Sequence, residues 1–91
     1  MLTIYSKNNC GYCVQAKNYL QNRDIPFEEI NIEDDSDAMQ FILSEGHRTM
    51  PQIYKDKEVF VEGGYQGLKE MSAEQINEKL NGIDVNKLGS I

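Results

Sequence analysis

The stretch Leu2-Thr3-Ile4-Tyr5-Ser6-Lys7-Asn8-Asn9-Cys10-Gly11-Tyr12-Cys13-Val14-Gln15-Ala16-Lys17-Asn18-Tyr19-Leu20 carries most of what decides the fold. Its first five residues, Leu2–Ser6, are rich in β-formers and run into the polar Lys7-Asn8-Asn9, as a strand does on leaving a core for a loop. Over residues 11–22 the apolar Cys13, Ala16 and Leu20 recur at steps of three and four, with Gln15, Lys17, Asn18 and Gln21 between them. That spacing predicts a helix. Cys10 and Cys13 sit where the strand hands over to the helix.

Outward from this junction, Pro26 opens Phe27-Glu28-Glu29-Ile30-Asn31-Ile32, in which Ile30 and Ile32 alternate with polar residues at the period of a half-buried strand. Two strands joined through a helix run parallel, with a right-handed crossover. A second helix is predicted over residues 37–45. Ser36 is its cap, Asp37 lies at its positive end, Ala38, Met39, Ile42 and Leu43 form its apolar face, and Gly46 follows its end. Gln52-Ile53-Tyr54 and Glu58-Val59-Phe60-Val61 flank Lys55-Asp56-Lys57, a connection short enough for an antiparallel hairpin. After Gly63-Gly64 the pattern turns helical, and Ser72-Ala73-Glu74-Gln75 reads as a capping box for a segment carrying Ile76 and Leu80. The expected architecture is α/β in the order β-α-β-α-β-β-α, a four-stranded mixed sheet with helices on both faces. One domain is expected over residues 1–82, and residues 83–91 are too weakly patterned to assign.

Composition narrows the classes of function. The chain has 91 residues, room for one small domain. Its seven glycines and 40% hydrophobic residues together match the roughly 45–50% apolar share of ordinary globular chains. No apolar run exceeds three residues, so no membrane span is expected. The first strand-like residues follow Met1 directly, so no export signal is expected. Fifteen acidic residues against nine basic ones give a formal net charge of −6, a field that repels nucleic acid. The two cysteines lie within four residues of each other, unlike the dispersed bridges of small secreted domains. The expected setting is the reducing cytoplasm.

The chemistry centres on Cys10-Gly11-Tyr12-Cys13. A helix N-terminus offers unpaired N–H groups and about half a positive charge, which favours a thiolate over a thiol. Cys10 stands at that end and Lys7 adds a full charge from the same loop, a setting that lowers a cysteine pKa to roughly 3.5–7.5. Cys10 is therefore the expected nucleophile. Cys13, one helical turn further on, is the expected resolving thiol. Other uses of such a pair remain open beside the redox one. Structural zinc needs four ligands as a rule, and beyond the pair the chain offers only His47 and carboxylates. A structural disulfide over so short a loop is a weak staple. Two buried cysteines acting as small hydrophobes fit poorly with the polar Asn8-Asn9 approach.

Tyr5-Ser6-Lys7 with Cys10-x-Tyr-Cys13, then Thr49-Met50-Pro51-Gln52-Ile53-Tyr54, then Gly63-Gly64, resembles the glutaredoxin family over residues 1 to 80. The resemblance implies a thioredoxin fold, and it implies glutathione-dependent reduction of protein disulfides and of protein–glutathione mixed disulfides. It places Lys7, Cys10, Tyr12 and Cys13 in one half of the site and Thr49, Met50 and a cis Pro51 in the facing wall. A cis proline would hold Met50 extended, its backbone turned toward the cysteinyl part of glutathione. N–H groups following the glycine pair suit the γ-glutamyl carboxylate. Gly64, Tyr65 and Gln66 are thus binding candidates, the plain alternative being an ordinary turn. Tyr12 is read as a substrate contact, Arg48 as a candidate for the glycyl carboxylate, and His47 as a solvated loop residue.

The chain departs from the family in two places. Glutaredoxins commonly follow the glycine pair with acidic residues that hold the glutathione amine, where this chain reads Tyr65-Gln66-Gly67. Many also carry proline where Gly11 stands. The expectation is an enzyme, a monomer using glutathione as co-substrate, with no tightly bound cofactor or metal. Its protein partners would be disulfide-containing or glutathionylated. Two rival readings are a hydrogen donor for ribonucleotide reductase recharged by thioredoxin reductase, and a carrier holding an iron–sulfur cluster between two subunits.

Overall fold

The computed structural model describes residues 1–81. The expected domain limit at 82 and the unassigned segment 83–91 lie outside the described residues. The elements are β1 (Leu2–Ser6), α1 (Gly11–Gln21), β2 (Phe27–Asn31), α2 (Ser36–Ser44), β3 (Gln52–Lys55), β4 (Glu58–Val61), α3 (Gly64–Leu68) and α4 (Ala73–Leu80). The four strands form one sheet in the order β2-β1-β3-β4. β1 runs parallel to β2 and antiparallel to β3, and β3 and β4 form the expected hairpin. Asp56 takes a left-handed φ of 58° in the turn between them.

Alternation along β1 divides the core in two. Leu2 and Ile4 share one face with Ile53 and Phe60, and there they bury Ala16 and Leu20 of α1, Leu68 of α3 and Ile76 of α4. On the opposite face, Tyr5 of β1 meets Tyr54 of β3 with ring centroids 5.5 Å apart. Phe41 of α2 closes on these rings at 5.7 and 5.4 Å. Helices therefore cover both faces of the mixed sheet, as the alternation of strands and helices predicts.

Three details differ from expectation. The N-cap of α2 is Asp35, not Ser36: Asp35 is extended, its carboxylate accepts the Ala38 N–H at 3.0 Å, and Ser36 is already helical. Leu43, placed on the apolar face, is 61% exposed, because the inward stripe passes through Ala38, Phe41 and Ile42 instead. The helical C-terminal region is two helices rather than one. Ser72 is extended and begins α4 afresh with the complete capping box to Gln75, so α3 ends before it.

The parallel pair β1–β2 is tied by side chains as well as by its ladder. Ser6 Oγ donates to Glu29 at 2.7 Å, and Lys17 Nζ lies 3.0 Å from the same carboxylate oxygen. The Ser6 hydrogen bond, supported by Lys17, holds the Glu29 carboxyl below its ordinary value of 4.5. A carboxyl depressed in the folded state contributes stability that is complete above its unfolded pKa and is lost as pH falls through the folded one. Urea midpoints of the wild type should therefore drop below pH of about 4.5. Glu29→Gln should be less stable than wild type at neutral pH and lose less on acidification; an unchanged acid slope would show that this carboxylate is not perturbed. At the corrected cap, Asp35→Ala should cost about 1 kcal/mol in urea unfolding while Ser36→Ala costs little. The reverse order would return the cap to Ser36.

Candidate active site

The turn into α1 is built by local polar contacts. Asn9 adopts a left-handed φ of 55°, which asparagine tolerates better than most residues, and it swings the chain into the helix. Asn31 Nδ2 donates to Asn8 Oδ1 at 2.8 Å, and the Asn8 N–H reaches the Glu33 carboxylate, so the loop is pinned to the end of β2. Cys10 is the N-cap of α1. Its Sγ accepts the Cys13 N–H at 3.2 Å and is joined to Cys13 in a disulfide. No acidic residue occupies the first turn to offset the helix dipole. Cys10 is partly exposed, whereas Cys13 is only 2% exposed. One sulfur thus faces solvent with its partner directly behind it, an order suited to attack by the first and resolution by the second.

The facing wall is the loop after α2. Met50–Pro51 is cis, as the family resemblance implied, and the Met50 carbonyl oxygen lies 3.8 Å from Cys10 Sγ. Gln52 Nε2 donates to the Thr49 carbonyl at 2.7 Å and braces the loop from within. Gly64, with φ of 58°, backs onto this wall: a Cβ there would stand 2.7 Å from the Pro51 carbonyl oxygen. Close packing against Pro51 therefore requires the second glycine, a role that the sequence reading, concerned with ligand approach, did not contain. A Cβ on Gly67 would lie 1.9 Å from the Glu62 carbonyl oxygen. No side chain fits at 67, which explains why one of the positions after the glycine pair carries no acid.

Between the two halves runs a groove of about 560 Å³. Every expected binding position lines it: Lys7 and Tyr12 from the α1 side, Thr49, Met50 and Pro51 from the opposite loop, and Gly64, Tyr65 and Gln66 from α3. Tyr12, 55% exposed, stacks on Tyr65 with centroids 6.3 Å apart and planes at 26°. His47 and Arg48 line the groove too, and His47 is a half-buried loop residue whose Nε2 lies 2.6 Å from the Tyr54 hydroxyl. Val59 and Glu62 were not foreseen. Glu62 is the only acidic side chain among the described lining residues, directly before the glycine pair. Val59 could have been read from strand alternation, which turns it away from the buried Phe60. On the other side of the cysteines, Lys17 and Glu29 flank a second hollow that Cys10 and Cys13 also line. Among the described residues, no three His, Cys, Asp or Glu side chains gather as a metal-binding group.

The chain matches the glutaredoxin family over residues 2–60. The glutaredoxin-like protein NrdH of Lactococcus lactis is 40% identical over 60 residues, which cover 66% of this chain and 83% of that protein. The solved structure of the glutaredoxin-like protein NrdH-redoxin from Escherichia coli superposes with a TM-score of 0.64 at 26% identity, covering 85% of this chain and 91% of that one. A buckwheat glutaredoxin–glutathione complex gives 0.63 at 26% identity, covering 99% and 80%. With its four-stranded mixed sheet and its cysteine pair at the β1–α1 junction, this chain belongs to the glutaredoxin family of thiol oxidoreductases and has the thioredoxin fold.

Proposed function

We propose that this protein reduces protein disulfides and glutathione mixed disulfides with glutathione as its electron source. The observation that carries this reading is the groove, which gathers Lys7, Tyr12, the Thr49–Pro51 wall and the start of α3 within reach of Cys10. In the reaction, the Cys10 thiolate attacks a substrate sulfur and forms a mixed disulfide. The displaced sulfur leaves as a thiolate and takes a proton from solvent. With a protein disulfide, Cys13 then attacks the Cys10 sulfur, releases the reduced substrate and leaves the Cys10–Cys13 bridge, which two glutathiones reduce, leaving as glutathione disulfide. With a protein–glutathione mixed disulfide, the protein thiolate departs in the first step and a second glutathione attacks the glutathione held on Cys10, leaving with it as glutathione disulfide and freeing the Cys10 thiolate, so each route balances in atoms and electrons. Lys7 and Arg48 suit the carboxylates of the tripeptide, and the Met50 backbone suits its cysteinyl amide. A reducing compartment such as the cytoplasm suits this cycle.

A second reading has its own support. Gln66 offers no charge to a glutathione amine, and this chain is similar to NrdH proteins, one of them described by its solved structure as having a thioredoxin-like activity profile. On this reading the chain is a hydrogen donor for ribonucleotide reductase, recharged by thioredoxin reductase. The deciding assay is turnover of a small glutathionylated substrate with glutathione and glutathione reductase as the only electron supply. Turnover supports the first reading. Its absence in folded protein, with turnover restored by thioredoxin reductase, supports the second. A brown colour on purification would instead mark a cluster carrier.

Three variants sharpen the assignment. Cys10→Ser should abolish turnover of every substrate, while Cys13→Ser should retain reduction of glutathione mixed disulfides and lose that of protein disulfides. Equal loss in both cysteine variants on both substrates would overturn this division of roles. Gln66→Asp should lower KM for the glutathionylated substrate roughly tenfold, since a charge-assisted bond adds about 1–1.5 kcal/mol over a neutral one. An unchanged KM would remove position 66 from the amine contact.

A further inference from the structure

Residues 45–51, between α2 and β3, belong to no helix or strand, yet they carry the wall that faces Cys10. Gly46 turns the chain with a left-handed φ of 83°, and the His47 N–H closes the end of α2 on the Ile42 carbonyl at 3.2 Å. Beyond that point two side-chain ties hold the loop. One is the Gln52–Thr49 bond. The other joins His47 Nε2 and Tyr54 Oη, 2.6 Å apart, and spans the loop from its entry to the strand that leaves it. Thr49, Met50 and Pro51 are enclosed between its ends.

Tyr54 is fully buried and does not line the groove, whereas His47 does. The Tyr54 ring is held edge-on by Tyr5, Phe41 and His47, with centroids 5.4 to 5.7 Å away, so its hydroxyl has a fixed place in the core. A phenylalanine would fill the same space. Only the hydroxyl needs a separate account, because burying one without a partner is costly. Burial first, and then the Glu45 carboxylate through its charge and a hydrogen bond, raise the Tyr54 pKa, so the hydroxyl keeps its proton beside His47 Nε2, 2.6 Å away.

We propose that the Tyr54–His47 hydrogen bond is a positioning device that sets the Thr49–Pro51 wall against Cys10 and thereby controls how tightly the groove holds a disulfide substrate. Tyr54 acts through His47 and touches neither substrate nor sulfur. The tie works on the wall and not on the thiolate, so binding depends on it and the acidity of Cys10 does not. The proposal rests on the groove being the substrate-bearing side, and it is indifferent to which reductant recharges the enzyme.

The test measures reduction of a glutathionylated peptide and of a disulfide-bridged peptide, both with dithiothreitol as terminal reductant, so a failure of the glutathione reading does not affect it. Tyr54→Phe should raise KM about fivefold on both peptides, with kcat within twofold and an unchanged pH profile of Cys10 alkylation. One net hydrogen bond is enough for a change of this size. His47→Leu should show the same loss, His47→Gln should recover most of it, and the Tyr54→Phe/His47→Leu double variant should be no worse than either single one. A folded Tyr54→Phe with KM within twofold of wild type would overturn the proposal, as would a shifted alkylation profile. Should Tyr54→Phe fail to fold, His47→Leu against His47→Gln decides: equal KM values in the two overturn it.

Discussion

A single sulfur atom carries two duties on which the rest of this site depends. Cys10 Sγ is the cap of α1, accepting the Cys13 N–H, and it also belongs to the more exposed cysteine of the pair, 3.8 Å from the Met50 carbonyl oxygen of the facing wall. The hydrogen bond that completes the helix is of the kind that stabilises a thiolate, so local folding and reactivity draw on the same contact. The Asn8 and Asn9 contacts that pin the loop to β2 fix where this cap stands. Cys13, one turn on, is then buried by the geometry of the helix itself. The remainder of the fold has to bring a second wall to within a few ångströms of that point.

That wall comes from the far side of the sheet. β1 and β3 are antiparallel neighbours at the centre of the sheet, so the loop entering β3 and the loop leaving β1 lie side by side at one end of the strands. The second glycine of the Gly63-Gly64 pair lets α3 press against Pro51, and Gly67 lets the same short helix fold onto the Glu62 carbonyl. Both glycines serve close packing, and through it they shape the groove. The charges at the groove follow: position 67 is closed to any side chain, and among the described lining residues the one acid stands at 62, before the pair.

Much of this was legible in the chain itself. The strand–loop–helix pattern around the cysteines, the hairpin around Asp56 and the capping box at Ser72 and Gln75 depend on neighbours in sequence, and local chemistry predicts them. The α2 cap was misassigned because Asp35 and Ser36 are adjacent residues of equal capping ability, and only the backbone angles choose between them. Leu43 was misplaced because an apolar residue next to an amphipathic stripe cannot be told from a member of it without the opposing surface. Glu62 and Tyr54 became visible only in three dimensions. The place of Glu62 depends on how α3 closes, and the hydroxyl of Tyr54 matters only because residue 47 returns to it. The cis peptide at Pro51 came from family resemblance, since the local sequence favours trans.

The Tyr12–Tyr65 stack gives the molecule a property of its own. The chain has no tryptophan, so its ultraviolet emission comes from five tyrosines alone. Tyr5, Tyr19 and Tyr54 do not line the groove, although Tyr19 packs edge-on against Tyr65, while Tyr12 and Tyr65 line it beside the cysteine pair. The protein therefore carries a native optical signal at the site where substrate and redox state change, with no need of an attached label.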